Sequence, residues 1–73
     1  MQYQIISTLA DGEFVKTTVR YTFTDGNEVT IEVPHFMPRT REEVLIGIEN
    51  RGISEQMKRD AATLNQQIAA SLI

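Results

Sequence analysis

Few side chains in this sequence can do acid–base or nucleophilic chemistry. His35 is the only histidine, there is no cysteine, and the serines are Ser7, Ser54 and Ser71. A general base needs an orienting carboxylate and a nucleophile within hydrogen-bond reach, and no spacing here places either beside His35. The serines lie in no nucleophile-elbow context, and Gly12, Gly26, Gly47 and Gly52 form no phosphate-cradling loop. One histidine without cysteine supplies too few nitrogen or sulfur ligands for a closed metal site. The acids alternate with bases or stand where a helix would begin, and capping accounts for the latter. The expectation is a chain that is not an enzyme, with no metal, no cofactor and no small-molecule substrate.

Size and composition narrow the partners. Seventy-three residues, 41% hydrophobic and 23% charged, make one ordinary globular domain near the lower size limit for a self-sufficient core. Without cysteine no disulfide reinforces it, so oligomerisation or docking onto another protein is the remaining support. The net charge of −3, with both signs mixed along the chain, lacks the basic footprint of a nucleic-acid binder. No apolar run approaches the roughly 18 residues of a membrane span. The start, MQYQIISTLADGE, lacks the basic region and long apolar run of a secretory signal. The chain reads as one made in the cytosol, with protein partners rather than nucleic acid or membrane.

The elements that must position any site fall into two halves. LADGEFV (Leu9 to Val15) and FTDGNEV (Phe23 to Val29) repeat one pattern around Asp-Gly, a strong hairpin signal. Around the second, a two-residue turn would put the apolar rows on opposite faces. A three-residue loop of Thr24, Asp25 and Gly26 pairs Tyr21 with Val29 and brings the rows together. The same logic at the first pairs Ser7 with Val15 and Tyr3 with Val19. Three strands follow, roughly 2–9, 14–23 and 27–33. One face carries Tyr3, Ile5, Leu9, Val15, Val19, Tyr21, Val29, Ile31 and Val33, and the other is mostly polar. Ile6 and Phe14 break the rule as diagonal neighbours on the polar face.

The second half is helical. Thr40-Arg41-Glu42-Glu43 reads as a capping box, with Thr40 as N-cap and Glu43 reaching back. Val44, Leu45 and Ile48 form a short stripe, Gly52 fits a left-handed stop, and Ser54 caps a second helix. That helix carries the stripe Met57, Ala61, Leu64, Ile68 and Leu72. At about 100° per residue, Met57 would lie about 180° from Ile48 on one continuous helix. Two helices let both stripes face the sheet. One long helix would offer each stripe to a different neighbour, which makes sense only inside an assembly. The glycine between helices also invites a helix-turn-helix reading, but the would-be recognition helix carries Glu55 and Asp60 beside Lys58 and Arg59. An αα-hairpin on a sheet is preferred to it.

Three places could serve partners. In VPHFMP, Pro34 ends the third strand and Pro38 holds Met37 extended. Adjacent extended residues point to opposite sides, so one of Phe36 and Met37 closes the core and the other, with His35, is presented outward, the alternative being that the chain's own core takes both. The Ile6–Phe14 spot is the second. The unpaired edges of the first and third strands, which can accept another strand, are the third. The narrow stripe Met57, Leu64, Ile68 and Leu72 serves either core packing or a seam for another helix.

At VPHFMP…REEVLIGIENRGISEQMKRDAA the chain resembles short accessory proteins encoded in the late structural regions of tailed bacteriophages. The likeness covers about Val19 to Ala62 and carries no functional residue with it. It implies a non-enzymatic structural or assembly component of a head, neck or tail, present in the host cytoplasm during synthesis and then in the virion. The other function weighed is a small acidic phage-encoded inhibitor or modulator of a host enzyme, acting by charge complementarity. The expected fold is a single α+β domain. Residues 1–33 form a three-stranded antiparallel β-meander, 34–39 a Pro-bounded connector, and 40–73 an αα-hairpin on one face or one long kinked helix.

Overall fold

The computed structural model describes all 73 residues as an α+β domain. Strands β1 (Gln2–Asp11), β2 (Phe14–Thr22) and β3 (Glu28–Phe36) form an antiparallel sheet in the order β1-β2-β3, followed by helix α1 (Arg41–Ser71).

The second hairpin has the expected register. Tyr21 lies opposite Val29 and Val19 opposite Ile31. Phe23 N–H donates to Asn27 O and Gly26 N–H to Phe23 O, both at 3.0 Å. Gly26 has φ +84, a left-handed position that glycine takes without steric cost. The Asp25 carboxylate accepts from Asn27 N–H at 2.9 Å, and this bond holds its pKa below the ordinary value.

The first hairpin corrects the expectation. Its turn has two residues, Gly12 and Glu13, closed by Asp11 opposite Phe14. Gly12 takes φ +58 at the first central position, where a II′ turn places glycine. Continued unbroken, that register would set Tyr3 opposite Thr22, with its ring on the polar face. A β-bulge at Ile6 restores the phase, so Ile5 meets Val19 and Tyr3 meets Tyr21. The consequence is a swap: Leu9, expected inside, lies on the outer face opposite Lys16, and Thr8 faces the helix side opposite Thr17. The sequence pattern could not show the bulge because Ile5 and Ile6 are equally apolar.

Pro34 does not end β3, which runs on to Phe36. The Phe23–Asn27 hydrogen bond fixes which pairs are hydrogen-bonded, and alternate counting makes Lys16–Pro34 a non-bonded pair. Pro34 therefore faces away from β2 on an edge strand and interrupts no ladder bond. The connector shrinks to residues 37–40. Met37 is not extended but left-handed, at φ +47, and its N–H donates to Glu13 O at 2.7 Å. That bond ties the end of β3 to the first turn and overrides the preference Pro38 exerts.

Helix α1 is a single element of 31 residues, not a hairpin. Thr40 caps it, its hydroxyl accepting from Glu43 N–H at 3.2 Å. Glu43 reaches back as expected, although to Arg39 N–H at 2.9 Å. This bond, aided by the Arg39 guanidinium, lowers the Glu43 pKa. Gly52 stays helical and buried because it is a point of close approach rather than a stop. A β-carbon there would stand 2.6 Å from Met1 Cε and 2.7 Å from Tyr21 Cε1.

The core lies between the sheet and the first half of this helix. Val19, Tyr21, Phe23, Val33 and Ile48 are buried, with Met1, Val29, Ile31 and Val44 packed around them. Tyr21 Oη donates to the Ile48 carbonyl at 2.7 Å, and burial raises its pKa. Past Gly52 the helix is latched to the second turn. Gln56 accepts from Thr24 N–H and donates to Thr24 Oγ1, both at 3.1 Å. Arg59 bonds Asp25 at 3.2 Å and lies 4.3 Å over the Phe23 ring. Beyond Arg59 the helix leaves the sheet, and the molecule reaches 53 Å in its longest dimension.

Candidate functional site

Continuity of α1 decides where its apolar residues go. Val44, Ile48 and Gly52 lie on the face toward the sheet. Met57, Leu64, Ile68 and Leu72 lie on the opposite face. No part of the sheet reaches them, and every residue from Ala61 to Ile73 is exposed. The expected core role of this stripe is thus corrected: two helices would have turned it inward, and one helix cannot. Ile46 and Ile53 extend the same outward row over the docked half. Together the six large side chains are between 45% and 81% exposed. In the sequence, a break at Gly52 would separate Ile46 and Ile53 from the row. The signal was their spacing to Met57.

A second apolar surface lies on the outer face of the sheet. Phe14 is opposite Phe36 across β2 and β3, with ring centroids 5.2 Å apart and tilted by 54°. Leu9 sits one row away, opposite Lys16, whose ammonium pairs with Asp11 at 3.5 Å. Ile6 does not join this patch. The true register leaves it at the bulge, several rows from Phe14, so the expected Ile6–Phe14 spot is replaced by Phe14–Phe36.

The connector also departs from expectation. Neither member of the Phe36–Met37 pair closes the core, since they are 62% and 61% exposed. The extension of β3 sends Phe36 to the outer face, and the left-handed turn throws Met37 outward. The same extension turns His35 inward, opposite Val15, rather than presenting it to a partner. Its ring packs on the helix where a β-carbon on Gly47 would meet Cε1 and Nδ1 at 3.1 Å. Nε2 is buried without a hydrogen-bond partner, as is Thr17 Oγ1. Burial lowers the His35 pKa, which favours the neutral ring.

An open cleft of about 320 Å³ lies where the helix leaves the sheet, lined by Thr24, Asp25, Gln56, Arg59, Asp60 and Thr63 among others. Its polar groups already bond one another, with Gln56 Nε2 also donating to Asp60 at 3.0 Å. The cleft is thereby the latch that fixes the exit angle of the helix. No three His, Asp or Glu side chains converge as metal ligands, and no helix is long and apolar enough to cross a membrane. The surfaces that stand ready are apolar: the outward helix row and the Phe14–Phe36 patch. Comparison with protein-family models, curated proteins and solved structures finds no match.

Proposed function

We propose that this chain is a non-enzymatic assembly protein that works through contacts with other protein subunits, and that it serves as a head, neck or tail component of a tailed-phage particle. One observation carries the interaction role. A single helix bears two apolar faces, its own sheet covers only the shorter one, and the other stays in water along the whole length. Helices in proteins owe most of their stability to tertiary packing of an apolar face. The part beyond Arg59 has no such packing within the chain, so a neighbouring subunit is what it is built to meet. The phage setting rests on the resemblance of VPHFMP…REEVLIGIENRGISEQMKRDAA to late-region accessory proteins.

Particles purified from a lysate in which the chain is made test this directly. The assembly reading expects its peptides in the particles, at a fixed copy number by quantitative mass spectrometry. A chain that stays with the soluble fraction and changes the activity of a host enzyme would instead establish the modulator reading.

A further inference from the structure

The outward row is more regular than a patch. Ile46, Asn50, Ile53, Met57, Ala61, Leu64, Ile68 and Leu72 follow one another at steps of four, three, four, four, three, four and four. Position 46 therefore repeats at 57 and 68, position 50 at 61 and 72, and position 53 at 64, an eleven-residue period. Eleven residues in three turns is about 3.67 per turn, close to the natural helix, so such a row runs almost straight with a slight right-handed drift. It extends about 40 Å along α1. All eight members are exposed, and the sheet lies on the opposite side of the helix, where it obstructs nothing.

We infer that this row is a homotypic seam: a second copy of the same chain packs its α1 alongside, parallel and in register, to form a two-chain protein. The inference rests on the assembly reading above and specifies the first partner. Three observations point to a second copy. The first is period, since a seam holds over its length only if both helices share one drift, and this chain supplies that match to itself. The second is Asn50, the one polar member of the row, whose amide makes no hydrogen bond within the chain. In a parallel pair it meets its own copy and is satisfied, the arrangement by which a single buried asparagine fixes register in two-stranded coils. In a fully overlapped antiparallel pair it would face Ile68 and remain unpaired.

The third observation is charge. At about 100° per residue, Glu42, Glu49 and Asp60 follow one edge of the row. Lys58 follows the other with Glu43, whose charge is already met by Arg39, while Lys58 itself lies 3.6 Å from Glu55 of its own helix. Parallel packing sets the acidic edge of one chain against the Lys58 edge of its partner. Lys58 and the opposing Asp60 are then about 3 Å apart along the axis. Antiparallel packing sets acid against acid. The area is adequate as well. A strip about 40 Å long on helices about 10 Å across brings the buried surface to the order of the 1,000 Å² that a specific interface needs.

Because the chain has no cysteine, disulfide trapping reads the arrangement cleanly. Light scattering across a dilution series should give twice the 8.3 kDa chain mass. Asn50→Cys and Ile68→Cys, each oxidised alone, should form covalent pairs, since equivalent positions meet in a parallel seam. Adding Leu64→Arg to either should abolish the link and weaken association by about 30-fold or more. The body of the fold should survive, because Leu64 lies beyond the docked half. If neither variant links alone but their mixture does, the parallel arrangement is wrong. A monomer at every concentration, or a mass above two chains, overturns the pair. A monomer that is still found in purified particles would sink this seam and leave the assembly role standing.

Discussion

The two faces of α1 are built to different standards. The inward face uses small and branched residues to bring the helix onto the sheet. Ile48 is fully buried, Gly52 lets the Tyr21 ring and Met1 pass beneath it, and Gly47 leaves room for His35. The outward face carries larger and more flexible side chains that the sheet does not cover, with Leu64 alone at the rim of the cleft beside Thr24 and Asp25. The difference teaches that glycine in this helix marks intimacy rather than a break. An intramolecular contact has been refined to the level of a single β-carbon. The outward row is regular in spacing, which is what a repeated contact with another helix requires.

The largest test of that contrast compares equal truncations on the two faces. Ile48→Ala removes a buried side chain at the centre of the core and should cost about 3 kcal/mol in chemical denaturation of the single chain. Leu64→Ala on the outward face should change the same monomer's stability by less than about 0.5 kcal/mol. If both cost the same, the outward row has a partner inside the chain and the contrast is false.

Much of this was legible in the sequence, and the failures share a cause. The phase of Val19, Tyr21, Phe23, Val29, Ile31 and Val33 fixed the second hairpin, because only one loop length brings those rows together. Thr40 and Glu43 marked the start of the helix. The first hairpin was not legible, since the same Asp-Gly pair is used one residue differently and the bulge at Ile6 repairs the register. The role of Gly52 is hidden for a similar reason. Local chemistry permits a stop there, and only the Tyr21 ring beneath it gives the glycine a different purpose. Pro34 looked like a strand end because the edge position of β3 is a tertiary fact. Each miss then propagated: once β3 continued to Phe36, His35 had to turn inward and Phe36 outward.

Gly52→Ala sharpens the comparison by asking how closely the inward face is fitted. In open space the change would help the helix by about 1 kcal/mol. Here the new methyl meets Met1 and the buried Tyr21 ring at distances below 3 Å. The Met1 side chain can swing away, but the ring is held by its bond to Ile48 O. Overpacking of this kind costs 1–3 kcal/mol, so a net loss of about 1 kcal/mol is expected from thermal melts. A gain would mean that the helix sits further from the sheet and that Gly52 is incidental.

The smallest effect expected is also the most specific to the inward face. Packing of the His35 ring against the helix at Gly47, with no partner for Nε2, disfavours its charged form in the folded chain. Its pKa is depressed from the ordinary 6.5 by that burial. Above about 6.5 the ring is neutral in both folded and unfolded chains, so stability does not depend on it there. As pH falls through that value the unfolded chain takes up a proton that the folded chain refuses, and stability declines until the folded ring charges too. Asp25 and Glu43 have lowered pKa values, so their contributions fade only below about 4, in a separate window. Denaturation midpoints should therefore start to drop as pH falls below about 6.5 in the native chain, and His35→Gln should flatten that segment while leaving the acid limb unchanged. A native profile already flat through pH 6 would place the imidazole in water and free the helix from the end of β3.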